Sequence, residues 1–150
     1  MALSDMAGHL IRRLHQQSTS RFVQRTQEIG FDLTPIQFAA LDAIYTNHGS
    51  DQASIAEMIG YDRATIGGVI DRLVTKSLVR RVVNLQDRRS RELSLTAKGS
   101  KVRLALVPIV QNLQKEILKP LNKADQENLI KLMRQVVLAS DNKEAKSLSS

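Results

Sequence analysis

Residues 87–99 decide the fold: they are Asp87-Arg88-Arg89-Ser90-Arg91-Glu92-Leu93-Ser94-Leu95-Thr96-Ala97-Lys98-Gly99. Leu93 and Leu95 alternate with polar residues, which is typical of a strand with one buried face. An apolar and basic segment of strand length, residues 78–85, comes just before it, so the two predict a β-hairpin with Arg88 and Arg89 at its tip. Arginines on an exposed tip bury nothing. We therefore expect their partner to lie outside the fold.

Positive charge is concentrated on this hairpin and on the segment before it. The chain has 150 residues and a net charge of +7. Residues 62–91 carry eight Lys or Arg against three Asp or Glu, whereas residues 1–61 with Glu92 carry four against seven. Residues 93–150 carry ten against five, which we interpret as lysines on the solvated faces of helices. The local excess indicates a phosphate-binding surface, and nucleic acid is the expected partner.

Composition excludes several classes of function. The absence of cysteine removes disulfides, thiolate metal sites and cysteine nucleophiles. Arg12 and Arg13 interrupt the one apolar opening, so no secretion signal is expected, and no apolar run approaches the ~20 residues of a membrane span. Aromatic residues make up 3% of the chain, which argues against stacking on single strands. We expect a cytoplasmic protein without membrane association.

The segment ahead of the hairpin predicts a helix-turn-helix. Asp51 is expected to cap a short helix that closes at Gly60, and Asp62 is expected to cap the next one. The apolar residues expected to be buried recur at helical spacing, namely Ile55, Met58 and Ile59 in the first helix and Ile66, Val69, Ile70 and Leu73 in the second. With the hairpin, this arrangement becomes a winged helix-turn-helix.

Longer helices flank this unit on both sides. One covers residues 6–29 and stops at Gly30, and the next begins at Thr34-Pro35-Ile36-Gln37, which has the form of a capping box. After the hairpin, helices are predicted over 97–119 and 123–140; Pro108 should kink or interrupt the first, and Asn122 should cap the second.

The predicted fold class is mainly α with a small β-hairpin wing, a winged helix-turn-helix core flanked by long dimerisation helices. The terminal helices need a surface for their apolar faces, and a second copy of the chain would supply it. The predicted division is a dimerisation helix over 1–33, a DNA-binding core over 34–99, C-terminal dimerisation helices over 100–140 and a polar, frayed tail over 141–150. Paired copies would hold two recognition helices ~34–36 Å apart, one turn of duplex DNA.

The chain closely resembles the MarR family of bacterial transcription regulators. The resemblance runs from about residue 8 to residue 140 and is carried by Leu33-Thr34-Pro35-Ile36-Gln37-Phe38, Asp62-Arg63-Ala64-Thr65-Ile66-Gly67-Gly68-Val69-Ile70-Asp71-Arg72-Leu73, Leu78-Val79-Arg80-Arg81, Asp87-Arg88-Arg89-Ser90-Arg91 and Leu95-Thr96-Ala97-Lys98-Gly99. It implies a homodimer that binds palindromic operators in double-stranded DNA, usually as a repressor. Many members release DNA when a small phenolic or aromatic-acid effector binds. Gly67-Gly68 resembles the branch associated with aromatic-compound catabolism or efflux.

Candidate DNA contacts lie on the outward side of the second helix of the helix-turn-helix. Arg63 and Thr65 are near its N-terminus, where an inserted helix meets base edges. Two glycines inside a helix cost about 1 kcal/mol each relative to alanine, and we interpret Gly68 as a point of close approach to DNA, the alternative being a helix that breaks there. The residues predicted to contact DNA are Arg63, Ala64, Thr65, Gly68, Arg72 and Lys76, with backbone contacts from Gln52 and Ser54 of the preceding helix.

On the wing, Arg89 is predicted to enter the minor groove, because narrow A·T-rich grooves attract arginine. Arg88 and Arg91 are expected to contact phosphates. Asp87 would repel a phosphate, so we expect it to orient Arg89 or Arg91 through a charged hydrogen bond, and the family motif implies the same. The alternative for each arginine is an ordinary solvated side chain.

The candidate effector residues are His9, Arg12, Arg13 and His15 on the first long helix, which in the resembling family borders a ligand pocket. Arginine can hold a carboxylate through two hydrogen bonds, and histidine can meet a phenolic hydroxyl. The alternative is that the arginines are solvated and the histidines are structural.

Other classes of function remain as alternatives. A constitutive or architectural DNA-binding protein of the same fold would have no effector. A helical protein-interaction module would leave the arginines of the hairpin tip without a role. An enzyme has little support, since the histidines, His9, His15 and His48, form no catalytic or metal-ligand motif, and no metal or cofactor is expected.

Overall fold

Six α-helices and a two-stranded hairpin make up the described part of the chain. The computed structural model describes residues 1–83, 85–87 and 91–149, with the backbone alone for residues 144–149. A 3₁₀ turn at Leu3–Asp5 is followed by α1 (Ala7–Glu28), α2 (Pro35–Thr46), α3 (Gln52–Ile59), α4 (Arg63–Thr75), β1 (Val79–Val83), β2 (Arg91–Leu95), α5 (Ala97–Ile117) and α6 (Lys123–Ser149). The predicted fold class, mainly α with a hairpin wing on a helix-turn-helix, is confirmed.

The turn between α1 and α2 has the predicted stop and start. The chain leaves α1 through Gly30, whose φ is +81°. The hydroxyl oxygen of Thr34 accepts from the backbone N–H of Gln37 at 3.3 Å, and the Gln37 amide oxygen accepts from the backbone N–H of Thr34 at 3.2 Å. These reciprocal bonds satisfy two donors that the first turn of a helix leaves open, so the predicted capping box is confirmed.

The helix-turn-helix consists of α3 and α4. The carboxylates of Asp51 and Asp62 cap the two helices by accepting from the backbone N–H groups of Ser54 at 2.8 Å and Ala64 at 2.9 Å. The recognition helix α4 is unbroken through both of its glycines, as expected. The prediction that Met58 is buried is wrong, because Met58 is 49% exposed. Ile55 is buried as predicted and Ile59 is half-buried, whereas Ala56 takes the place expected of Met58 in the narrow buried stripe of so short a helix.

The wing is the antiparallel pair β1–β2. Val79 is opposite Leu95, Arg81 is opposite Leu93, and Val83 is opposite Arg91. The loop before α3 pairs with the other edge of β2: the backbone N–H of Leu93 donates to the Ser50 carbonyl at 2.9 Å, and that of Gly49 donates to the Leu93 carbonyl at 3.1 Å. The wing is therefore fixed to the helix-turn-helix by backbone bonds as well as by side chains.

Recognition helix and wing meet at a tight junction. Ser77 follows α4 with a φ of +61°, and the backbone N–H of Leu78 closes the helix on the Leu73 carbonyl at 2.9 Å. The backbone N–H of Thr96 donates to the Leu78 carbonyl at 3.1 Å. An added Cβ at Gly99 would lie 2.0 Å from that same carbonyl oxygen, so only glycine fits there. We call residues 76–78 and 96–99 the α4 junction.

One apolar core holds these elements together. It draws buried side chains from α1 to α5 and from the hairpin, and the largest fully buried apolar ones are Leu41, Ile44, Ile55, Ile66, Ile70, Leu73, Leu93 and Leu106. The four predicted inward residues of α4 are all buried. Their burial fixes which side of α4 faces outward.

The chain divides into two compact units, residues 1–113 and residues from 114 onward. Helix α5 continues through Pro108, so the predicted interruption does not occur; an exposed proline removes one backbone donor, and the surrounding turns remain helical. Asn122 caps α6 as predicted, accepting from the backbone N–H of Asp125 at 2.8 Å.

Helix α6 continues to Ser149, so the tail expected to fray after residue 140 is helical in its described part. Its Lys, Glu and Ala residues are good helix formers despite their polarity. Within residues 1–83, 85–87 and 91–149, none of the helices has the length and apolar character needed to cross a membrane.

Candidate nucleic-acid interface

The outward side of α4 presents a continuous polar and small-residue surface. Five of the residues predicted to contact DNA are exposed on it, and we call them the reading face: Arg63, Ala64, Thr65, Gly68 and Arg72. The buried residues of α4 lie on the opposite side, against the core. The side chains of the reading face are therefore available to a partner.

At the N-terminal end of the reading face, the side chains of Asp62 and Thr65 form hydrogen bonds within the first turn of α4. Asp62 caps the helix, and the Thr65 hydroxyl donates to the Asp62 carbonyl at 3.2 Å. The hydroxyl oxygen of Thr65 keeps lone pairs for an incoming donor. Both arginines of the face are exposed, so their planar guanidinium groups can form paired hydrogen bonds with guanine or phosphate.

The N-termini of α3 and α4 are electrostatically coupled. The pKa of Asp51 is lowered, first because the backbone N–H of Ser54 donates to its carboxylate, and next because of the Ser54 side chain. The positive charge of Arg63 lowers this pKa further. Ser54, predicted as a backbone contact, is half-buried and serves the cap, so its hydroxyl is already engaged.

The two glycines of α4 have different surroundings. An added Cβ at Gly68 would meet nothing within 4 Å, whereas one at Gly67 would lie 3.8 Å from the side-chain amide nitrogen of Gln52. Gln52, another predicted contact, therefore lies beside α4 and is half-buried. The surrounding residues that the structure describes therefore leave room for a side chain at position 68.

The wing adds cationic side chains beside this face. Arg91 and Asp87 are exposed, while Arg88 and Arg89 lie outside the described residues. Arg80 is also exposed, opposite Ser94 in the hairpin. Arg80 was not among the residues predicted from the sequence, although it follows Val79 in a strand, where neighbouring side chains point to opposite faces.

An ion pair ties the wing to the recognition helix. A terminal guanidinium nitrogen of Arg81, in β1, donates to a carboxylate oxygen of Asp71, in α4, at 2.6 Å. The Arg81 side chain is 28% exposed and that of Asp71 is 65% exposed. Strand alternation did not indicate this pair, because it predicts the face of a residue but not its partner on another element.

Lys76 is the one predicted contact of α4 that lies outside the reading face. Its ammonium group donates to the backbone carbonyl of Asp32 and, at 3.3 Å, to the side-chain oxygen of Gln37. The Asp32 carboxylate is 4.0 Å away. This lysine therefore contacts the turn between α1 and α2.

The candidate effector residues are only partly brought together. One guanidinium nitrogen of Arg12 lies 3.3 Å from the His9 ring nitrogen Nδ1, one helical turn away. Arg12, Arg13 and His15 are exposed on α1, and His9 is half-buried. An exposed arginine and imidazole on one helix face could bind a carboxylate, although helix neighbours three residues apart also meet without a ligand.

Arg103, which was not predicted as a functional residue from the sequence, joins α5 to α2 through an ion pair and a ring contact. The Arg103 Nε donates to the Asp42 carboxylate at 2.8 Å, and its guanidinium carbon lies 3.8 Å from the centre of the Tyr45 ring. Arg103 and Asp42 are 61 residues apart in the sequence, so no local pattern could have indicated their contact. Across the described part of the chain, no group of three His, Cys, Asp or Glu residues could hold a metal ion.

The fold and this surface define a winged helix-turn-helix regulator. The chain belongs to the MarR family, since the model of that family matches residues 31–90 and a transcriptional regulator more than 30% identical covers nearly the whole chain. The transcriptional regulator HosA of Escherichia coli is 34% identical over 137 residues, which cover 91% of this chain and 98% of HosA. The family consists of transcription regulators rather than enzymes, in agreement with the expectation from the sequence.

Two solved structures support the assignment at the level of the fold. The PcaV transcriptional regulator of Streptomyces coelicolor, solved with its natural ligand, is 31% identical and superposes with a TM-score of 0.83 over 93% of this chain and 97% of PcaV. BpsR of Bordetella bronchiseptica, whose DNA binding is regulated by 6-hydroxynicotinic acid, is 27% identical with a TM-score of 0.83, covering 91% of this chain and 96% of BpsR.

Proposed function

We propose that this MarR-type transcription regulator is a homodimeric repressor of a palindromic operator, released by a small aromatic or phenolic ligand. The observation that carries the proposal is the reading face of α4 beside a cationic wing. Base edges would meet Arg63 and Thr65, while Arg72, Arg80 and Arg91 contact phosphates and Gly68 permits close approach. Arg89 in the minor groove, Arg88 on phosphate and an orienting role for Asp87 follow from sequence and remain part of the proposal.

Residues 34–99 are proposed as the DNA-binding region, and residues 1–33 and 100–140 as dimerisation segments. Support comes from apolar side chains that a single chain leaves exposed. On α1, Leu10 is 46% and Ile11 is 65% exposed; on α6, Val136 is 67% and Val137 is 57% exposed. Patches of this kind mark interfaces, and a second copy is the partner that a symmetric operator requires.

The ligand part of the proposal rests on the similar structures. BpsR responds to 6-hydroxynicotinic acid, an aromatic acid with a hydroxyl group. The pair formed by Arg12 and His9 offers this chain a cation and an imidazole for the same groups. A protein that acts on chromosomal DNA in a bacterium works in the cytoplasm, so we place it there.

The decisive experiment is selection of bound sequences from random duplex DNA, repeated with a panel of hydroxylated aromatic acids. We expect an inverted repeat with half-sites about one duplex turn apart, and lower recovery of that repeat with at least one acid. Sedimentation at micromolar concentration should give a dimer.

Failure can occur at three separate levels. Binding to no duplex at physiological salt would refute the DNA-binding proposal. Binding that no acid weakens would favour a constitutive DNA-binding protein of the same fold. Selected DNA placed over a promoter distinguishes the direction of regulation: repression predicts lower transcription with the protein, and a rise would mean activation.

A further inference from the structure

We propose that Lys76 is a positioning residue for operator recognition, one that sets the angle of α4 and does not contact phosphate. The inference rests on the proposed function and deepens it. From sequence, Lys76 counted as one more cation on the recognition helix. Its contacts in the structure point inward instead, to the turn through which α1 continues into α2.

The first step is the identity of its acceptors. The Lys76 ammonium donates to the Asp32 backbone carbonyl and to the side-chain oxygen of Gln37, with the Asp32 carboxylate close enough to stabilise the charge. Two of the three ammonium donors are therefore used inside the fold. The Lys76 side chain is 32% exposed, so water screens this charge less than it screens the charges of the exposed arginines.

The second step is that the Gln37 side chain is buried and already takes part in another hydrogen bond. It is only 4% exposed, and its side-chain oxygen also accepts from the backbone N–H of Thr34. The capping-box oxygen that begins α2 is therefore shared with the residue that ends α4. A displacement of Lys76 removes a charged donor from a buried acceptor, which resists small movements of the helix end.

The third step is that a small tilt at one end of α4 causes a larger displacement at the other end. Helix α4 has 13 residues and is therefore about 20 Å long, so a tilt of about 3° at its C-terminal end would move its N-terminal end by about 1 Å. Hydrogen-bond readout of bases tolerates little more than that. Lys98 strengthens the same anchor by donating to the Lys76 carbonyl at 3.1 Å.

The geometry fixes α4 relative to the end of α1, the helix proposed to form the dimer. In a dimer, the same anchor would set the distance between the two recognition helices. Loss of the Lys76 contact should therefore broaden the preference for half-site spacing, an effect that simple loss of a phosphate contact would not produce.

The test compares Lys76→Met with Lys143→Met, which removes an equal charge from an exposed position on α6, outside the proposed dimerisation segments. For each protein, affinity is measured against the selected operator and against versions with one or two base pairs added or removed between the half-sites. Each titration is repeated over a range of salt concentrations. Circular dichroism gives the folded fraction, and if Lys76→Met is incompletely folded, Ser77→Gly is added to restore stability.

We expect Lys76→Met to bind the selected operator about tenfold more weakly and to discriminate less among spacings, with an unchanged salt slope. Lys76→Arg should recover both properties, and Lys143→Met should retain them. A slope reduced by ~1.8 for the dimer would make Lys76 a phosphate contact and overturn the proposal. An unchanged spacing profile, or a Lys76→Arg variant that behaves like Lys76→Met, would overturn it as well.

Discussion

The two ends of the recognition helix are built in opposite ways. At the N-terminal end, Asp62 caps the helix locally, and exposed Arg63, Ala64 and Thr65 follow it. At the C-terminal end, Lys76 donates to Asp32 and Gln37 in the turn between α1 and α2. Within the α4 junction, Lys98 and Thr96 donate to the carbonyls of Lys76 and Leu78. The side chains at the N-terminal end are available for a partner. The C-terminal end is held in place by hydrogen bonds within the fold.

The difference shows how one helix can have a fixed backbone and still present side chains that are available to DNA. Sequence readout needs side chains that the fold does not consume, whereas accuracy needs a backbone that does not move. Helix α4 separates these requirements along its length. Substitutions that displace the backbone of the junction should therefore lower stability. Loss of the Lys76 contact and substitutions on the reading face should lower affinity.

The largest effect should come from Gly99→Ala. The added Cβ would lie 2.0 Å from the Leu78 carbonyl oxygen and 2.9 Å from the carbonyl carbon, and both are backbone atoms. The start of α5 would have to move away from the junction, at a cost of about 3 kcal/mol in the free energy of unfolding. Urea denaturation followed by circular dichroism measures this loss. A loss below about 0.5 kcal/mol would show that the junction yields easily.

Gly68→Ala should separate stability from affinity. Nothing lies within 4 Å of the added Cβ, so the variant should gain about 1 kcal/mol in the free energy of unfolding from better helix propensity. Operator affinity should fall about tenfold, or about 1.4 kcal/mol, if the α4 backbone approaches DNA closely at this point. Denaturation and operator titration are measured on the same preparation. A more stable variant with unchanged affinity would refute close approach at Gly68.

Local patterns predicted one end of α4 far better than the other. The caps at Asp51 and Asp62 and the buried Ile66, Val69, Ile70 and Leu73 were predictable because capping and helical periodicity involve residues a few positions apart. The hairpin followed from alternation in the same way. The reading face then followed from the buried side by exclusion.

The junction could not be predicted in this way, since its contacts join residues far apart in sequence. Lys76 and Gln37 are 39 residues apart. The contact between α2 and α5 has the same character, since Arg103 and Asp42 are 61 residues apart. The sequence shows that Lys76 carries a positive charge. Only the three-dimensional structure shows which oxygen atoms accept its hydrogen bonds. The wrong prediction for Met58 has a different cause. A helix of eight residues has too few turns for its buried stripe to be located from periodicity.

Ser77→Gly should give a small gain in stability. Ser77 has a φ of +61°, a conformation that costs a residue with a side chain roughly 1 kcal/mol and costs glycine almost nothing. The Ser77 carbonyl, which accepts from the Thr96 hydroxyl at 2.6 Å, is retained in the variant. Because glycine also gains entropy in the unfolded chain, the net increase in the free energy of unfolding should be about 0.5 kcal/mol.

Thr75→Gly is the matched control for this variant. It introduces glycine at the last residue of α4, where the backbone is helical, and should lose up to about 1 kcal/mol. Urea denaturation of both variants measures the contrast. Equal losses at the two positions would mean that the positive φ of Ser77 carries no strain.

The smallest effect concerns Asp51, which caps the helix behind the reading face. Its pKa is lowered in the folded protein, chiefly by the backbone N–H of Ser54, so the ionised cap stabilises the fold at every pH above the ordinary pKa of an aspartate. That stabilisation should disappear as the pH falls through the lower folded-state pKa. Asp51→Asn still caps but has no charge, so the wild-type advantage should be a few tenths of a kcal/mol at pH 6 and should be smaller at pH 3. Urea denaturation at both pH values, with Asp5→Asn as the control, measures it; an advantage that persists undiminished at pH 3 would assign the cap's contribution to shape rather than to charge.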